Sequence, residues 1–496
     1  MRITNKMMTM NCMSDINRNK VSLNRLQQQY STGKKIGKPS EDPVVAVRAL
    51  KLRSNYVELN QYYERNIPSA KSWLETTEGA LTNVNTLLTT MYEKLNQGSS
   101  DTLSVTDRDS IISSLKEYKK QIYNEGNTQY AGRYVFTGYK TGTSLTFGKD
   151  TNHLKYEIQE KFSGADMASV KYVLNGYGMA SYDPANPTAE TYETTPKIAE
   201  VYRIRLSYDN ISYEEGADSI KYYVDGQEYT ADIKKTSDND CYMIAEGGNA
   251  QFIPETGELI FSKEQHDAYS NAKEISLTYE KTQFKQDDLR PEHYFNTKVT
   301  DTTKKEGETG YTTEYVLEDQ QIQYEINVGL KLTVNTQAKD AFTHTLAREI
   351  QELSDIVDKM VSLENDMADI KKKLQEDTLT EDQREALTKL QGQLEVQYTL
   401  QSKIMTERFA QGMTVTKDMQ NTISAATSDL GARYIRLELT ENRLETQQTE
   451  LEELISSNED ADIVETIIKY NSQQMIYNAA LSVASKAVKN TLLDYI

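Results

Sequence analysis

The chain has 496 residues, 37% of them hydrophobic, a single tryptophan (Trp73), two cysteines and a formal net charge of −19, with a mean hydropathy of −0.69. Length alone suggests roughly three domains, and the acidic balance argues against general nucleic-acid binding, since a phosphate backbone needs a basic face. Cys12 and Cys241 fall in unrelated segments, which argues against a disulfide framework.

The first predicted element is an N-terminal helix. Ile3, Met7, Met10, Met13, Ile16, Leu23, Leu26 and Tyr30 recur at roughly helical spacing, and Arg2, Lys6, Arg18, Lys20 and Arg25 take the other faces. Met1-Arg2-Ile3-Thr4-Asn5-Lys6 lacks the apolar core of a cleaved signal, and no stretch reaches membrane length. The chain is therefore expected to be cytoplasmic or exported without cleavage. Two glycines and two prolines between Ser31 and Pro43 end the helix in an extended connector. Ser40 or Asp42 can cap the next helix, with Pro43 at its first position.

A long helical pattern follows from Val44 to about Asn96, with Leu74, Leu81, Val84, Leu88, Met91 and Leu95 on one face. Pro68 is expected to kink it, and Gly79 to weaken it by about 1 kcal/mol relative to alanine. After a turn at residues 98–101, helix resumes from about Val105 to Gly126. Beyond Asn127 the period changes to two. Val201 to Leu206 reads as a strand with one polar face, Tyr222 to Gln227 as a hairpin with an Asp-Gly turn, and Pro254 to Gly257 as a turn before the strand Glu258 to Phe261. Residues 141–335 thus read as an all-β insertion of one or two small domains.

Helical periodicity returns near Asp340, where Phe342, Leu346, Ile350, Leu353, Val357 and Met360 share a face. Thr380 and Gln383 have capping-box spacing, so a second long helix starts there. It carries Leu387, Leu390, Leu394 and Tyr398 and, with interruptions at Gly412 and Gly431, continues to about Leu454. Residues 456–460 form a polar break. The last helix sets Ile463, Ile467, Tyr470, Gln474, Tyr477, Leu481, Ala484, Val488, Thr491 and Tyr495 along one stripe, thickened by small residues such as Ala480 and Ser485. Such a helix needs cover, and the only comparable apolar segment is at the opposite end of the chain. The organisation is nested, with end helices outermost, long helices within and strands in the middle. It predicts an α+β multidomain chain: an elongated helical rod of paired N- and C-terminal long helices carrying a central all-β insertion. The expected divisions are 1–40 with 456–496, 41–140 with 336–455 including an extra helical hairpin near 340–400, and 141–335.

Several short motifs stand out on both sides of the chain. On the N-terminal side these are Gln29-Tyr30-Ser31-Thr32-Gly33-Lys34-Lys35-Ile36, Pro39-Ser40-Glu41-Asp42-Pro43, Thr76-Thr77-Glu78-Gly79-Ala80-Leu81 and the run from Asn127 to Gly138. On the C-terminal side they are Val334-Asn335, Asp340-Ala341-Phe342, Leu430-Gly431-Ala432-Arg433, Arg436-Leu437-Glu438 and the final helix. In combination they give the chain a resemblance to the flagellin superfamily and, within it, the hook-associated protein 3 family, over roughly residues 1–140 and 330–496. It implies a structural subunit of the bacterial flagellum, located outside the cell at the junction of hook and filament. It also implies export by the flagellar type III pathway without a cleaved signal. The implied partners are copies of itself, an adjacent hook-associated protein, flagellin and a flagellar export chaperone. The expected assembly interface is Ile3, Met7, Met10, Ile16, Leu23, Leu26, Ile463, Ile467, Tyr470, Tyr477, Leu481, Ala484, Val488 and Leu492.

No residue pattern suggests catalysis, a cofactor or a metal. His153, His266, His293 and His344 are scattered without partners at ligand spacing, methionines at helical spacing read as core, and Gly176-Tyr177-Gly178 lacks the strand-turn-helix setting of a nucleotide loop. The chain is expected not to be an enzyme and to bind neither nucleic acid nor membrane. Two other readings compete: a filament flagellin, and a secreted amphipathic membrane-active or adhesive protein whose last helix enters lipid with Lys486 and Lys489 at the rim. Strong liposome binding by residues 459–496 without self-association would favour the last.

Overall fold

A computed structural model describes residues 5–100, 103–185, 187, 192–213, 216, 218–237, 241–376 and 378–489. Its α-helices are α1 (Asn5–Thr32), α2 (Pro43–Asn60), α3 (Ile67–Gly98), α4 (Val105–Glu125), α5 (Lys263–Tyr269), α6 (His344–Leu374), α7 (Glu381–Glu459) and α8 (Ile463–Lys489). Its contacts divide the chain into two compact units: Met1–Lys71 with Tyr324–Leu332 and Ile435–Ile496, and Ser72–Gln323 with Thr333–Tyr434. Two of these divisions fall within α3 and α7 and two within the strands around residues 323 and 332, none at the connectors.

In the first unit, α1 packs antiparallel along α8, and α2 lies against the last part of α7. Of the two candidate caps, Asp42 serves α2: its carboxylate accepts from the amides of Val44 and Val45 at 3.1 Å each, with Pro43 at the first position. Between α2 and α3 the residues Gln61–Asn66 wind as a π-helix. Pro68 has no N–H for the Glu64 carbonyl and its ring needs room there, so the irregularity expected at the proline takes the form of a wide turn just before it.

In the second unit, the predicted stripes are core. Leu74, Leu81, Val84, Leu88, Met91 and Leu95 of α3 are buried, as are Leu346, Ile350, Leu353, Val357 and Met360 of α6. Helix α7 begins behind the Thr380–Gln383 capping box, whose reciprocal bonds measure 3.1 and 3.3 Å. It runs through Gly412 and Gly431 without the expected interruptions. Gly412 instead marks close packing, because a Cβ there would stand 3.2 Å from Leu95 Cδ2 and 3.3 Å from Leu353 Cδ1.

The central strands are β1 (Gln129–Tyr130), β2 (Arg133–Tyr134), β3 (Leu154–Phe162), β4 (Ala168–Leu174), β5 (Lys197–Arg205), β6 (Ser219–Val224), β7 (Gln227–Ile233), β8 (Ala250–Ile253), β9 (Glu258–Phe261), β10 (Ile275–Lys281), β11 (Asn296–Asp301), β12 (Thr312–Tyr315), β13 (Gln323–Asn327) and β14 (Leu330–Thr333). Ten of them form one sheet in the order β12-β11-β3-β10-β6-β7-β8-β9-β5-β4, antiparallel except at β7–β8. The β6–β7 hairpin turns on Asp225 and Gly226 at φ 50° and 86°, the mirror-image turn that matches strand twist. Within this region expected to be all β lies α5, started by a Ser262–Gln265 capping box.

The polar face expected on β5 is not solvated. Arg203 and Arg205 point at α6, where Arg203 Nη2 is 2.6 Å from Glu352 Oε2 and Arg205 Nη2 is 3.0 Å from Glu349 Oε2. Arg408 Nε of α7 joins from the other side, 3.2 Å from Glu352 Oε1. Burial alone would raise the Glu352 pKa, but the three arginines hold it down to about 2. The sheet is thus fixed to the helices by a charged cluster, which alternation of polar and apolar residues could not distinguish from a wet surface.

The two sets of motifs meet at the foot of the insertion. Asn127 Oδ1 accepts from the Leu145 amide at 2.8 Å, Phe136 and Phe342 pack edge to face at 5.0 Å, and the Ala338 amide donates to the Phe136 carbonyl at 2.8 Å. Arg433 Nη1 donates to the Asn335 carbonyl at 2.9 Å. These motif residues therefore have a structural reason: they close the base from which the strands leave.

Candidate assembly surface of the terminal helices

The face by which α1 meets α8 follows a heptad. Thr9, Cys12, Ile16, Asn19, Leu23 and Leu26 step by threes and fours and are half-buried. Opposite them, Tyr470, Gln473, Tyr477, Ala480 and Ala484 are half-buried and Thr466 is buried. Halfway along, Gln473 Nε2 donates to Asn19 Oδ1 at 3.1 Å. This seam is poor in large apolar groups, since threonine, alanine, asparagine and glutamine take many of its positions.

The larger apolar side chains point away from it. Met7, Met10 and Met13 of α1 are exposed, Met10 by 63%, and on α8 so are Ile463, Ile467, Ile468, Met475 and Leu481, with Ile468 at 64% and Leu481 at 42%. Of the residues expected at the interface, Ile16, Leu23, Leu26, Tyr470, Tyr477 and Ala484 are drawn into the α1–α8 seam. Met7, Met10, Ile463, Ile467 and Leu481 stay in solvent. Ile3 and Leu492 lie outside the described residues, as does the side chain of Val488. Sequence reading placed Ile467, Gln474 and Leu481 on the inner stripe, whereas the structure uses Thr466, Gln473 and Ala480, one residue earlier in each turn. Small side chains there let the helices approach.

Both connectors were read as breaks, and they prove to be bound together. The Lys35 amide donates to the Glu459 carbonyl at 2.7 Å and the Ala461 amide to the Gly33 carbonyl at 2.8 Å, forming a short antiparallel bridge. Gly33 can end α1 here because its φ is +69°. Side chains reinforce the bridge. Lys34 Nζ lies 2.5 Å from Asp460 Oδ1 and 3.6 Å from Glu459 Oε2, and Arg53 Nε donates to Glu459 Oε1 at 2.7 Å. The Asp460 bond pushes the Lys34 pKa up, while Arg53 holds Glu459 below the usual carboxylate range. The opposite charges of the two connectors, Lys34-Lys35 and Glu459-Asp460, were the sequence signal for this clasp.

Among the described residues no helix is long and apolar enough to cross a membrane. The arrangement is two helices held in register by a clasp and a polar pair, with apolar side chains left exposed outside the seam.

The family described as the bacterial flagellin N-terminal helical region matches residues 3–141, and that of the bacterial flagellin C-terminal helical region matches residues 413–496. Flagellar hook-associated protein 3 of Salmonella typhimurium is 37% identical over 143 residues, 28% of this chain and 44% of that protein. Its namesake in Escherichia coli is 34% identical over 146 residues, 29% of this chain and 45% of that protein. The chain thus spans less than half the length of these two curated relatives. A solved structure described as a putative flagellar hook-associated protein from Vibrio parahaemolyticus aligns over 85% of this chain and 100% of that one, at 11% identity and a TM-score of 0.38. Both ends of the chain are thus similar to the helical regions of bacterial flagellins.

Proposed function

We propose that the chain is a structural subunit of the bacterial flagellum that joins hook to filament by self-assembly through α1 and α8. The observation that carries this reading is the outward placement of Met10, Ile467, Ile468 and Leu481 on helices already paired with each other. Fully burying such a side chain is worth about 1.5–3 kcal/mol, and neighbouring copies supply that burial along the whole pair. The 37% identity to hook-associated protein 3 over 143 residues, against 24% and 27% for two flagellins, supports the junction over the filament. In this reading residues 1–40 and 456–496 form the assembly domain, 41–140 and 336–455 the supporting helices, and 141–335 the outward-facing part. Its neighbours are copies of itself, another hook-associated protein and flagellin; a dedicated chaperone keeps the apolar ends apart before export through the flagellar type III channel. The role is structural and needs no catalytic centre.

A strain lacking this gene is expected to build hooks without filaments. The full chain should restore filaments, and a chain without residues 1–40 and 456–496 should not; filaments grown with that truncated chain would overturn the reading. Antibody labelling separates the junction from the filament subunit, because a junction protein marks only the base of each filament.

A further inference from the structure

The second unit holds a cleft of about 930 Å³ between the sheet and the helices α6 and α7. Its floor is the cluster of Arg203, Arg205, Glu352 and Arg408, whose charges are paired with one another. Along α6 the cleft runs from Arg348 to Asp366, on the order of 27 Å at 1.5 Å per residue. Arg348 and Lys285 line one end, whereas Asp355, Asp358 and Asp366 follow further along the helix. Arg348 is short of acceptors, although it is only 9% exposed. Its Nη2 donates to the Thr256 carbonyl, its Nη1 stays 3.9 Å from Asp209 Oδ2, and its buried Nε has no acceptor among the described residues. Asp209 is also shared with Lys281, whose Nζ lies 3.5 Å from Oδ1. Burial and the neighbouring Arg205 lower the Arg348 pKa, as befits a guanidinium with too little counter-charge. A buried cation with an idle N–H costs free energy, and a carboxylate placed in the cleft would recover it.

The rest of the cleft suits a different chemistry. Asp355 Oδ1 accepts from Gln351 Nε2 at 2.8 Å and Asp366 Oδ2 from the Met179 amide at 3.0 Å, and each carboxylate keeps lone pairs for further donors. Such a row welcomes hydroxyl groups and repels polyanions such as nucleic acid. Three aromatic rings accompany it. Tyr172 and Tyr242 stack at 3.7 Å, with their hydroxyls anchored 3.4 and 3.2 Å from Glu258 Oε2. Tyr177 stands near Asp366, its amide held by Gln397 Oε1 at 2.8 Å. Rings with a few fixed polar groups are the usual lining of a ligand site. We infer that the cleft binds an oligosaccharide ending in one carboxylate-bearing sugar. The carboxylate meets Arg348, hydroxyls of the neutral sugars that follow donate to Asp355 and Asp366, and the apolar faces of the pyranoses lie against the tyrosines. A terminal sialic acid and a terminal uronic acid share this chemistry.

The test is isothermal titration calorimetry of the full chain with sialyllactose, glucuronic-acid-capped xylobiose and lactose. At least one of the two acidic trisaccharides should bind about ten-fold more tightly than lactose, and which of them does so identifies the terminal sugar. The methyl ester of that trisaccharide tests the carboxylate without altering the protein, and it should bind no better than lactose. Arg348→Gln should bring the acid down to the same level. Tyr177→Ala, a change at a half-buried ring, should weaken binding by about ten-fold and leave the thermal melt of the chain unchanged. Acid and ester that bind equally, an affinity indifferent to Tyr177→Ala, or no binding of either acidic trisaccharide at millimolar concentration would each overturn the inference. None of these results bears on the self-assembly proposed above, which filament growth reports separately.

Discussion

The side-chain amide of Gln473 donates to the Asn19 carbonyl oxygen at 3.1 Å, joining positions 454 residues apart midway along the α1–α8 seam. A polar pair inside a helical seam costs stability relative to leucine but permits only the register in which both partners meet. Replacing Asn19 by leucine is accordingly expected to strengthen the α1–α8 pair by about 1 kcal/mol and to impair assembly. Circular dichroism melts with filament counts check this; normal filaments from the Asn19→Leu chain would deny the pair any role in register.

Leu481 is 42% exposed on the flank of the α1–α8 seam. Leu481→Asp should leave the melt of the isolated chain within about 0.5 kcal/mol of wild type, as for ordinary surface changes, while abolishing assembly. A large loss of monomer stability would show that the side chain is already covered in the free protein.

Glu459 ties the two connectors, since its carboxylate meets Lys34 and Arg53 while its carbonyl receives the Lys35 amide. Arg53 and Lys34 are themselves substantially exposed, so the ion pairs are screened and Glu459→Ala should cost only about 1 kcal/mol. The effect is local: limited proteolysis should cut at residues 33–43 and 460–462 faster than in wild type. Unchanged cleavage would mean that the backbone bridge alone holds the connectors.

The charged cluster between β5 and α6 predicts a larger effect. Glu352→Gln leaves Arg203, Arg205 and Arg408 facing one another with their shared carboxylate gone. Breaking a buried ion pair from one side costs about 3–5 kcal/mol, and denaturant unfolding of the second unit should register a loss in that range. A loss under 1 kcal/mol would place the cluster in contact with bulk water.

Stability should also depend on pH in two opposed ways. Burial pushes the pKa of His293 down to about 4 and that of His344 down to about 3. Below the unfolded value of about 6.5 the unfolded chain takes up protons that these folded imidazoles refuse, so stability falls as pH drops from 6.5 towards 4 and 3. Burial raises Glu160 to about 7; between about 4.5 and 7 its folded form holds a proton the unfolded form has lost, so its contribution is lost as pH rises. Melts of wild type and Glu160→Gln should differ more in favour of the variant at pH 8 than at pH 5. The same difference at both values would show that Glu160 does not titrate in that window.

Much of this architecture was legible because burial leaves a period. The run Phe342 to Met360 repeats every three to four residues and is core in the structure. Thr380 with Gln383, and Asp225 with Gly226, carry local chemistry that dictates a cap and a turn whatever surrounds them. The charged side of β5 was misleading because Arg203 and Arg205 neutralise carboxylates that arrive from about 150 residues away. The short helix α5 was missed because its seven residues are too few to show a period.

By itself, the sequence determined that both ends are amphipathic helices, that long helices lie inside them and strands in the middle, and that the ends need cover. The register of α8 against α1 was decided only by tertiary structure. Tyr470, Tyr477 and Ala484 fit either of two seams, completed by Thr466, Gln473 and Ala480 or by Ile467, Gln474 and Leu481. Hydropathy favours the second set. Folding takes the first, because small residues allow close approach and Gln473 can reach Asn19, and it thereby turns Ile467 and Leu481 outward.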